Sequence, residues 1–150
     1  MNNYEINSAT LAIVPLGENL SKVYEEEAEY IVSKSPNAII KENCEFYGSS
    51  YEGRCRGTKN LTGIKSKFPI IIEESRNIIF FPTGSVRSEE NTWIALNNIK
   101  EYKIDALNSK ITFKNNENLD LDISYYSLDN QVCRAHMLNS KLYDRKSDKK

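Results

Sequence analysis

The chain has 150 residues, of which 39% are hydrophobic and 27% charged, and its formal net charge is −1. This composition is typical of one globular domain that buries a core without disulfides or metals, and the net charge alone indicates no polyanion partner. No apolar segment approaches the ~20 residues of a membrane-spanning helix, and the first residues lack the basic and apolar regions of a signal peptide, so we expect a cytoplasmic protein with no membrane partner.

The first third of the chain predicts a β-hairpin followed by one long helix. Residues 9–15 form a short apolar run that predicts a buried strand, and residues 22–32 predict a second strand paired to it. Ser35 and Pro36 are typical of a helix start. Residues three or four apart then define the buried face of a single helix: Ile40, Cys44, Tyr47, Tyr51 and Cys55.

Three glycines bear on this helix. Gly57 is expected to end it as a left-handed cap. Gly48 and Gly53 lie inside it, where each glycine costs about 1 kcal/mol relative to alanine. A glycine at such a position is typical of close approach by another backbone or by a binding partner.

The next part of the chain predicts antiparallel strands. Residues 68–74 and 77–83 are expected to form a hairpin, and residues 92–105 a long strand. Residues 109–114 and 118–124 alternate apolar and polar side chains around the turn NNEN and predict a second hairpin. The core-facing residues of that hairpin are expected to be Ile111, Phe113, Leu119, Leu121 and Ile123.

A final helix is predicted to begin at Ser127 as its N-cap, with Asp129 in the first turn. Its expected buried face comprises Leu128, Val132, Ala135, Leu138 and Leu142. The charged segment 146–150 is expected to be a frayed tail. Together these elements predict a single α+β domain over residues 1–145, with an antiparallel β-sheet of about six or seven strands, one helix after the first hairpin and one C-terminal helix.

Catalytic and metal chemistry find little support in the sequence. The cysteines Cys44, Cys55 and Cys133 are odd in number and include no CxxC pair, which indicates neither a disulfide framework nor a zinc site. The one histidine, His136, has no third group to orient its imidazole. The glycine-rich stretch GSSYEGRCRG matches neither GxGxxG nor GxxxxGKS. We therefore expect no catalytic residue, no metal and no cofactor, and a protein that is not an enzyme.

The charge distribution is more informative than the net charge. Residues 37–72 and residues 127–150 each carry six basic and three acidic side chains, whereas the other parts of the chain are acidic. Local basic patches attract polyanions even in a nearly neutral protein. An ordinary solvated basic face is the alternative interpretation of the same residues.

The segment from Gly53 to Lys67 contains five basic residues and no acidic one, together with glycines and hydroxyl side chains that permit close approach to phosphates. The candidate polyanion-binding residues of this region are Ser49, Ser50, Arg54, Arg56, Lys59, Lys65 and Lys67. Two further candidates are Arg87, in a loop between predicted strands, and Arg134, on the final helix.

Six segments, in chain order, resemble the bacterial competence transcription factor family, ComK: YEINSATLAIVP, CEFYGSSYEGRCRGT, KFPIII, FFPTGSVR, WIALNNIK and ISYYSLDNQVCRAHML. The resemblance implies a DNA-binding transcriptional activator of competence-type genes, associated with the nucleoid. It implies recognition of paired A/T-rich boxes in double-stranded DNA, largely through the minor groove, by a homo-oligomer. Arg54, Arg56 and Lys59 match the most characteristic segment and are the foremost expected DNA contacts. Asn130 and Gln131 match the family as well, and a cap or a helix–sheet hydrogen bond is the alternative role for them.

The resemblance also bears on protein partners. Family members usually continue past the final helix, and in the family that extension is where an adaptor for regulated proteolysis docks, whereas this chain stops at Lys150. The short C-terminus, the acidic first 36 residues and the net charge of −1 support a second hypothesis. In that hypothesis the chain is an interaction module that has lost DNA binding and regulates a full-length relative.

Overall fold

The computed structural model describes residues 1–88 and 90–148, which hold nine strands and three helices. The strands of the larger sheet are β1 (Thr10–Gly17), β2 (Leu20–Glu25), β3 (Glu29–Val32), β4 (Ile70–Glu73), β5 (Ile78–Pro82) and β6 (Trp93–Ala95). Those of the smaller sheet are β7 (Ile99–Asp105), β8 (Asn108–Phe113) and β9 (Asn118–Leu121). The helices are α1 (Pro36–Phe46), α2 (Tyr51–Thr62) and α3 (Tyr125–Asp148).

Both sheets are antiparallel, with strand orders β3-β2-β1-β6-β5-β4 and β7-β8-β9. The predicted α+β class is therefore confirmed, with the C-terminal helix in place. Both predicted later hairpins are present, as β4–β5 and β8–β9. The five expected core-facing residues of the second hairpin all pack in the same apolar cluster, although Leu119 and Ile123 are only partly buried.

The larger sheet carries apolar residues on both faces. Phe80 and Phe81 are neighbours on β5, are both fully buried and belong to different clusters, because successive side chains of a strand point to opposite faces. The cluster around Phe80 includes residues of α1 and is flanked by Tyr51 and Cys55 of α2. The cluster around Phe81 includes residues of the smaller sheet and of α3. The sheet is thus covered by helices on one face and by α3 and the second sheet on the other.

Two strand predictions were wrong because the chain turns where continuous strand was expected. Residues 22–32 divide into β2 and β3, joined by a tight turn in which the Glu25 N–H donates to the Ala28 carbonyl at 2.8 Å. Residues 92–105 divide at a 3-10 turn, Leu96–Asn98, which carries the chain from one sheet to the other. The amide of Asn98 fixes this crossing by donating to the carbonyls of Ser8 and Thr10, at 3.0 and 2.8 Å.

The prediction of one long helix ending at Gly57 was also wrong. The chain leaves α1 at Gly48, whose φ of +88° is the left-handed conformation that favours glycine. Ser50 then caps α2, since its Oγ accepts a hydrogen bond from the Gly53 N–H at 2.9 Å. Gly57 stays inside α2, and Gly63, with φ +80°, is the left-handed cap.

Helix α3 has the predicted buried face, and all five residues expected there are buried. It begins earlier than predicted, because the side chain of Ser124, rather than that of Ser127, accepts a hydrogen bond from a first-turn N–H. It also continues to Asp148, where fraying was expected from residue 146. The Lys146 Nζ holds this last turn by donating to the Glu74 carbonyl at 2.5 Å and to Asn77 Oδ1 at 2.7 Å.

Lys149 and Lys150, at the end of the expected tail, lie outside the described residues. Of the helices within residues 1–88 and 90–148, none has the length and apolarity needed to cross a membrane.

Candidate nucleic-acid interface

Helix α2 is fixed to the protein along one side. Thr58 is fully buried, and its Oγ1 donates to the Pro69 carbonyl at 2.7 Å, just before β4. Tyr51 packs edge-on against Trp93 of β6, with 6.4 Å between the ring centroids. These contacts leave the opposite side of the helix in solvent.

Four predicted site residues are exposed on that opposite side and in the loop that follows it: Arg56, Lys59, Lys65 and Lys67. We call these four residues the basic face. Arg56 and Lys59 lie one turn apart on α2, only ~60° apart around the helix axis. Glu52, in the first turn, is the one acidic residue of α2, and no acidic residue lies between Gly53 and Lys67. The four cations of the basic face therefore outnumber the one carboxylate of α2.

Side chains of α3 hold the backbone of the loop that carries Lys65 and Lys67, residues 63–69. Gln131 is buried, and its Nε2 donates to the Lys67 carbonyl at 3.2 Å and to the Pro82 carbonyl at 2.7 Å. The Arg134 guanidinium donates to the Ser66 carbonyl and to Gln131 Oε1. Burial lowers the pKa of Arg134. The structure thus places Arg134 beneath the loop, as a support for its backbone.

Arg54 is not part of the basic face. It lies two residues from Arg56 and hence ~160° away around the axis of α2. It is half-buried, and its Nε has no hydrogen-bond partner among the described residues. Together with Tyr47, Ser75 and Lys146, it lines a cavity of about 430 Å³ between α2, the β4–β5 turn and the end of α3. The structure therefore divides the three foremost expected contacts between two surfaces.

Ser49 and Ser50 lie in the turn between α1 and α2 and are half-buried. The Ser50 hydroxyl is occupied as the cap of α2. A Cβ at Gly53 would lie only 3.0 Å from Ser50 Oγ and 3.2 Å from Ser49 Oγ. These hydroxyls, rather than a second backbone, are the groups that approach Gly53 closely.

Arg87 is exposed in the loop between β5 and β6. Asn37 of α1 holds this loop, because its Nδ2 donates to the Val86 carbonyl at 3.0 Å and its Oδ1 accepts from Trp93 Nε1 at 2.8 Å. The loop starts directly after Pro82, whose carbonyl accepts from Gln131. Gln131 therefore connects the loops that carry Lys67 and Arg87.

Cys44 of α1 and Cys55 of α2 are packing residues. Burial raises the pKa of Cys44 to about 12 and also raises the pKa of Cys55, so both thiols are protonated near neutral pH. Over residues 1–88 and 90–148, no three His, Cys, Asp or Glu side chains are placed to hold a metal ion.

Sequence reasoning missed Asn37, and it gave Gln131 as a family match with a cap or a helix–sheet hydrogen bond as the alternative role. Both side chains are uncharged, and each donates to backbone carbonyls of a distant segment. The bond from Gln131 to the Pro82 carbonyl of β5 is a helix–sheet hydrogen bond. The position of Asn37 on a helix gave no signal of its role, since an amide on a helix is ordinarily exposed. Burial and the identity of the hydrogen-bond partners reveal it.

A family model described as ComK protein matches residues 1–147. The chain belongs to the ComK family. A curated relative, the competence transcription factor of Bacillus subtilis (strain 168), is 38% identical over 149 residues, which cover 97% of this chain and 78% of that protein. No solved structure matches the chain. The resemblance of the six segments is thus confirmed, and the most characteristic ComK-like segment corresponds to the end of α1, the turn at Gly48 and the first part of α2.

Proposed function

We propose that this ComK-family chain is a competence transcription factor that activates transcription by binding A/T-rich boxes of double-stranded DNA, largely through the minor groove. The observation that carries the proposal is the basic face, with four exposed cations on α2 and on the loop after it. The name of the Bacillus subtilis relative supports the same role. A role of this kind is that of a DNA-binding protein of the cytoplasm and nucleoid, not of an enzyme.

The basic face suits a narrow, negatively charged groove. A-tract minor grooves have enhanced negative potential and attract inserted arginine and lysine side chains. Arg56 is the best candidate for insertion, because a guanidinium is less strongly hydrated than an ammonium group. Lys59, Lys65 and Lys67 are suited to the flanking phosphates, whose contacts set the affinity and the position on the duplex.

The remaining predicted site residues have different proposed roles. Arg54 and Arg87, which lie outside the basic face, are candidates for contacts to a second stretch of the duplex. Ser49 and Ser50 stay candidates for phosphate hydrogen bonds through the turn before α2. Arg134 is proposed to act indirectly, because it holds the backbone of the loop that carries Lys65 and Lys67.

The proposed assembly is a homo-oligomer on paired boxes. A proteolysis adaptor is a further proposed partner, carried over from the family. Neither proposal is needed for the DNA contacts of one copy, so DNA binding is tested separately.

The direct test is fluorescence anisotropy with a duplex that carries two A/T boxes, a duplex with G·C pairs in the boxes, and a third with inosine·C pairs. Inosine·C resembles A·T in the minor groove, because it lacks the guanine N2 amino group, but resembles G·C in the major groove. We expect strong binding to the A/T and inosine·C duplexes and weak binding to the G·C duplex. Equal affinity for all three would contradict sequence preference, and loss of binding to inosine·C would contradict minor-groove recognition.

The site is tested by Arg56→Ala, with Lys103→Ala as the control, since Lys103 is an exposed cation on β7. We expect Arg56→Ala to weaken binding about tenfold, the usual scale for one well-placed charged contact, and Lys103→Ala to leave it unchanged. If none of the three duplexes binds even at low salt while the chain associates with a full-length relative, the interaction-module hypothesis replaces this one.

A further inference from the structure

A second surface, remote in sequence from the basic face, is a groove of about 560 Å³ between the end of β1, the β5–β6 loop and β9. We propose that this groove binds an extended, lysine- or arginine-rich segment of a partner protein, which adds to β9 as a further strand. The proposal goes beyond DNA binding and does not depend on it.

The first observation is a buried side-chain amide nitrogen, that of Asn91, which has no hydrogen-bond partner among the described residues. Asn91 lines the groove and is only 3% exposed. Its Oδ1 accepts a hydrogen bond from the Gly84 N–H at 3.0 Å, so the orientation of the amide is fixed and the Nδ2 is the free donor. That Nδ2 is buried and has no hydrogen-bond partner among the described residues. A buried donor left unpaired is costly, and a peptide carbonyl in the groove would satisfy it.

The second observation is an open strand edge. β9 lies at one end of the smaller sheet, so one side of its backbone pairs with no strand of the described chain. Its residues Asp120 and Leu121, and the next two residues, line the groove. Unpaired backbone N–H and C=O groups at such an edge are a template for strand addition.

The third observation is the charge of the groove. Its lining includes three carboxylates, Glu90, Asp120 and Asp122, and no lysine or arginine. Asp120 contacts Lys110 at 3.7 Å, whereas Glu90 and Asp122 form no ion pair with the described residues. These carboxylates repel an acidic strand and complement a basic one. They also make the groove unsuitable for DNA, so a partner segment and DNA would occupy separate surfaces.

The fourth observation is apolar area beside the carboxylates. Leu16, at the end of β1, is 49% exposed, and Val14 and Ile123 are half-buried in the lining. An extended peptide directs alternate side chains to opposite sides. One set of its side chains would reach the carboxylates and the other set would cover this apolar area. The occupant we infer therefore alternates basic and apolar residues.

The experiment uses the full chain and three short synthetic peptides, one alternating lysine and valine, one alternating glutamate and valine, and the lysine peptide with a central proline. Binding is followed by anisotropy and by amide hydrogen exchange of residues 118–123. The lysine–valine peptide should bind and slow exchange at those amides. The acidic peptide should not bind, because the carboxylates of the groove repel it. The proline peptide should bind weakly, because proline lacks the N–H that a strand ladder needs.

Two substitutions locate the site. Asp122→Lys should weaken binding of the lysine–valine peptide at least about tenfold, since a charged hydrogen bond contributes on that order, whereas Asp144→Lys, an equal charge change on the exposed side of α3, should not. Asn91→Asp retains the acceptor for Gly84 but removes the free donor. It should weaken binding although it adds negative charge, which simple charge attraction would not produce.

Each of the following results would overturn the proposal: no binding of the lysine–valine peptide, equal binding of all three peptides, equal effects of Asp122→Lys and Asp144→Lys, or protection at α2 and not at β9. Protection of residues 118–123 in the free protein that disappears on dilution would assign the groove to a second copy of the chain, and the partner proposal would then be wrong.

Discussion

At the residue scale, the candidate interface depends on side chains that do not carry its charge. Gln131 is 3% exposed and joins two backbone carbonyls, those of Lys67 and Pro82, through one amide group. A buried carbonyl that loses its donor retains the cost of its desolvation. Gln131 therefore contributes both to the stability of the fold and to the position of the loop that carries Lys65 and Lys67.

We expect Gln131→Leu to lower the free energy of unfolding by about 1–3 kcal/mol, because two carbonyls lose a buried donor. Urea denaturation measures this change. The matched control is Asn130→Leu, which places the same side chain at the neighbouring exposed position of α3 and should change stability little. A similar loss in both variants would mean that the added leucine, and not the lost amide, is responsible.

Glu73, the last residue of β4, carries a carboxylate whose contribution to stability depends on pH. Burial alone would raise the pKa of Glu73, but hydrogen bonds from Ser75 and Arg76 outweigh that effect and lower the pKa to about 2. A lowered carboxylate pKa stabilises the folded state above the pKa of the unfolded chain, ~4.3, and this contribution is lost as the pH falls toward 2.

Glu73→Gln should therefore lower the free energy of unfolding by about 1–2 kcal/mol at pH 7. This loss is smaller than the full pKa shift implies, because solvent reaches the ion pair with Arg76. The difference in unfolding free energy between the wild type and the variant should shrink between pH ~4.3 and ~2, where the wild-type carboxylate becomes protonated. Denaturation midpoints measured across this range give the test, and Glu101→Gln, at an exposed carboxylate of β7, serves as the comparison. A difference that is independent of pH would contradict the assigned role of the charge.

At the scale of elements, Gly48, which was expected inside one long helix, and Gly57, which was expected to end it, have exchanged roles. Gly48 has φ +88° and separates α1 from α2, whereas Gly57 lies within α2 and a Cβ there would meet no atom within 4 Å. A side chain at positive φ costs about 1–2 kcal/mol, while alanine is better than glycine inside a helix by about 1 kcal/mol.

Gly48→Ala should thus destabilise the protein by about 1–2 kcal/mol, and Gly57→Ala should stabilise it by up to about 1 kcal/mol. Thermal denaturation of the two variants compares one chemical change at two backbone conformations. Stabilisation by Gly48→Ala would indicate that the helix continues through position 48, and destabilisation by Gly57→Ala would indicate that position 57 is not inside a helix; either result would contradict the two-helix arrangement.

The extent to which the fold could be predicted follows from the range of the interactions involved. Hairpins β4–β5 and β8–β9, and the buried face of α3, are encoded by local periodicity, which a sequence displays directly. The break at Gly48 was missed because the apolar stripe from Cys44 to Cys55 continues across it. Both helices place their stripe residues against the same core, so periodicity alone did not separate them.

The sequence predicted which basic residues form the candidate site, but not how they are arranged in space. Arg56, Lys59, Lys65 and Lys67 were found because basic residues cluster in sequence. The separation of Arg54 from Arg56 requires the orientation of α2, which the buried Thr58 and its bond to Pro69 determine. The support by Arg134 depends on a contact between segments 68 residues apart, which a single sequence does not display.

At the scale of the whole molecule, the net charge of −1 conceals two surfaces of opposite sign. The basic face comprises α2 and its following loop, and the acidic groove lies between β1, the β5–β6 loop and β9. Repulsion between DNA and the acidic groove is screened by salt, with a Debye length of only ~8 Å at physiological ionic strength. A nearly neutral chain of this kind can therefore bind a polyanion through one surface.

The number of phosphate contacts follows from the salt dependence of DNA binding. Each neutralised phosphate contributes about −0.9 to the slope of log affinity against log salt concentration, so Lys65→Ala should reduce the magnitude of the slope by about 1. The measurement is anisotropy with the A/T duplex between ~50 and ~200 mM salt. Lys103→Ala should leave the slope unchanged, because β7 is not part of the basic face. A slope that Lys65→Ala leaves at the wild-type value would remove this lysine from the contact, and Lys67 would then be the phosphate-binding candidate of the loop.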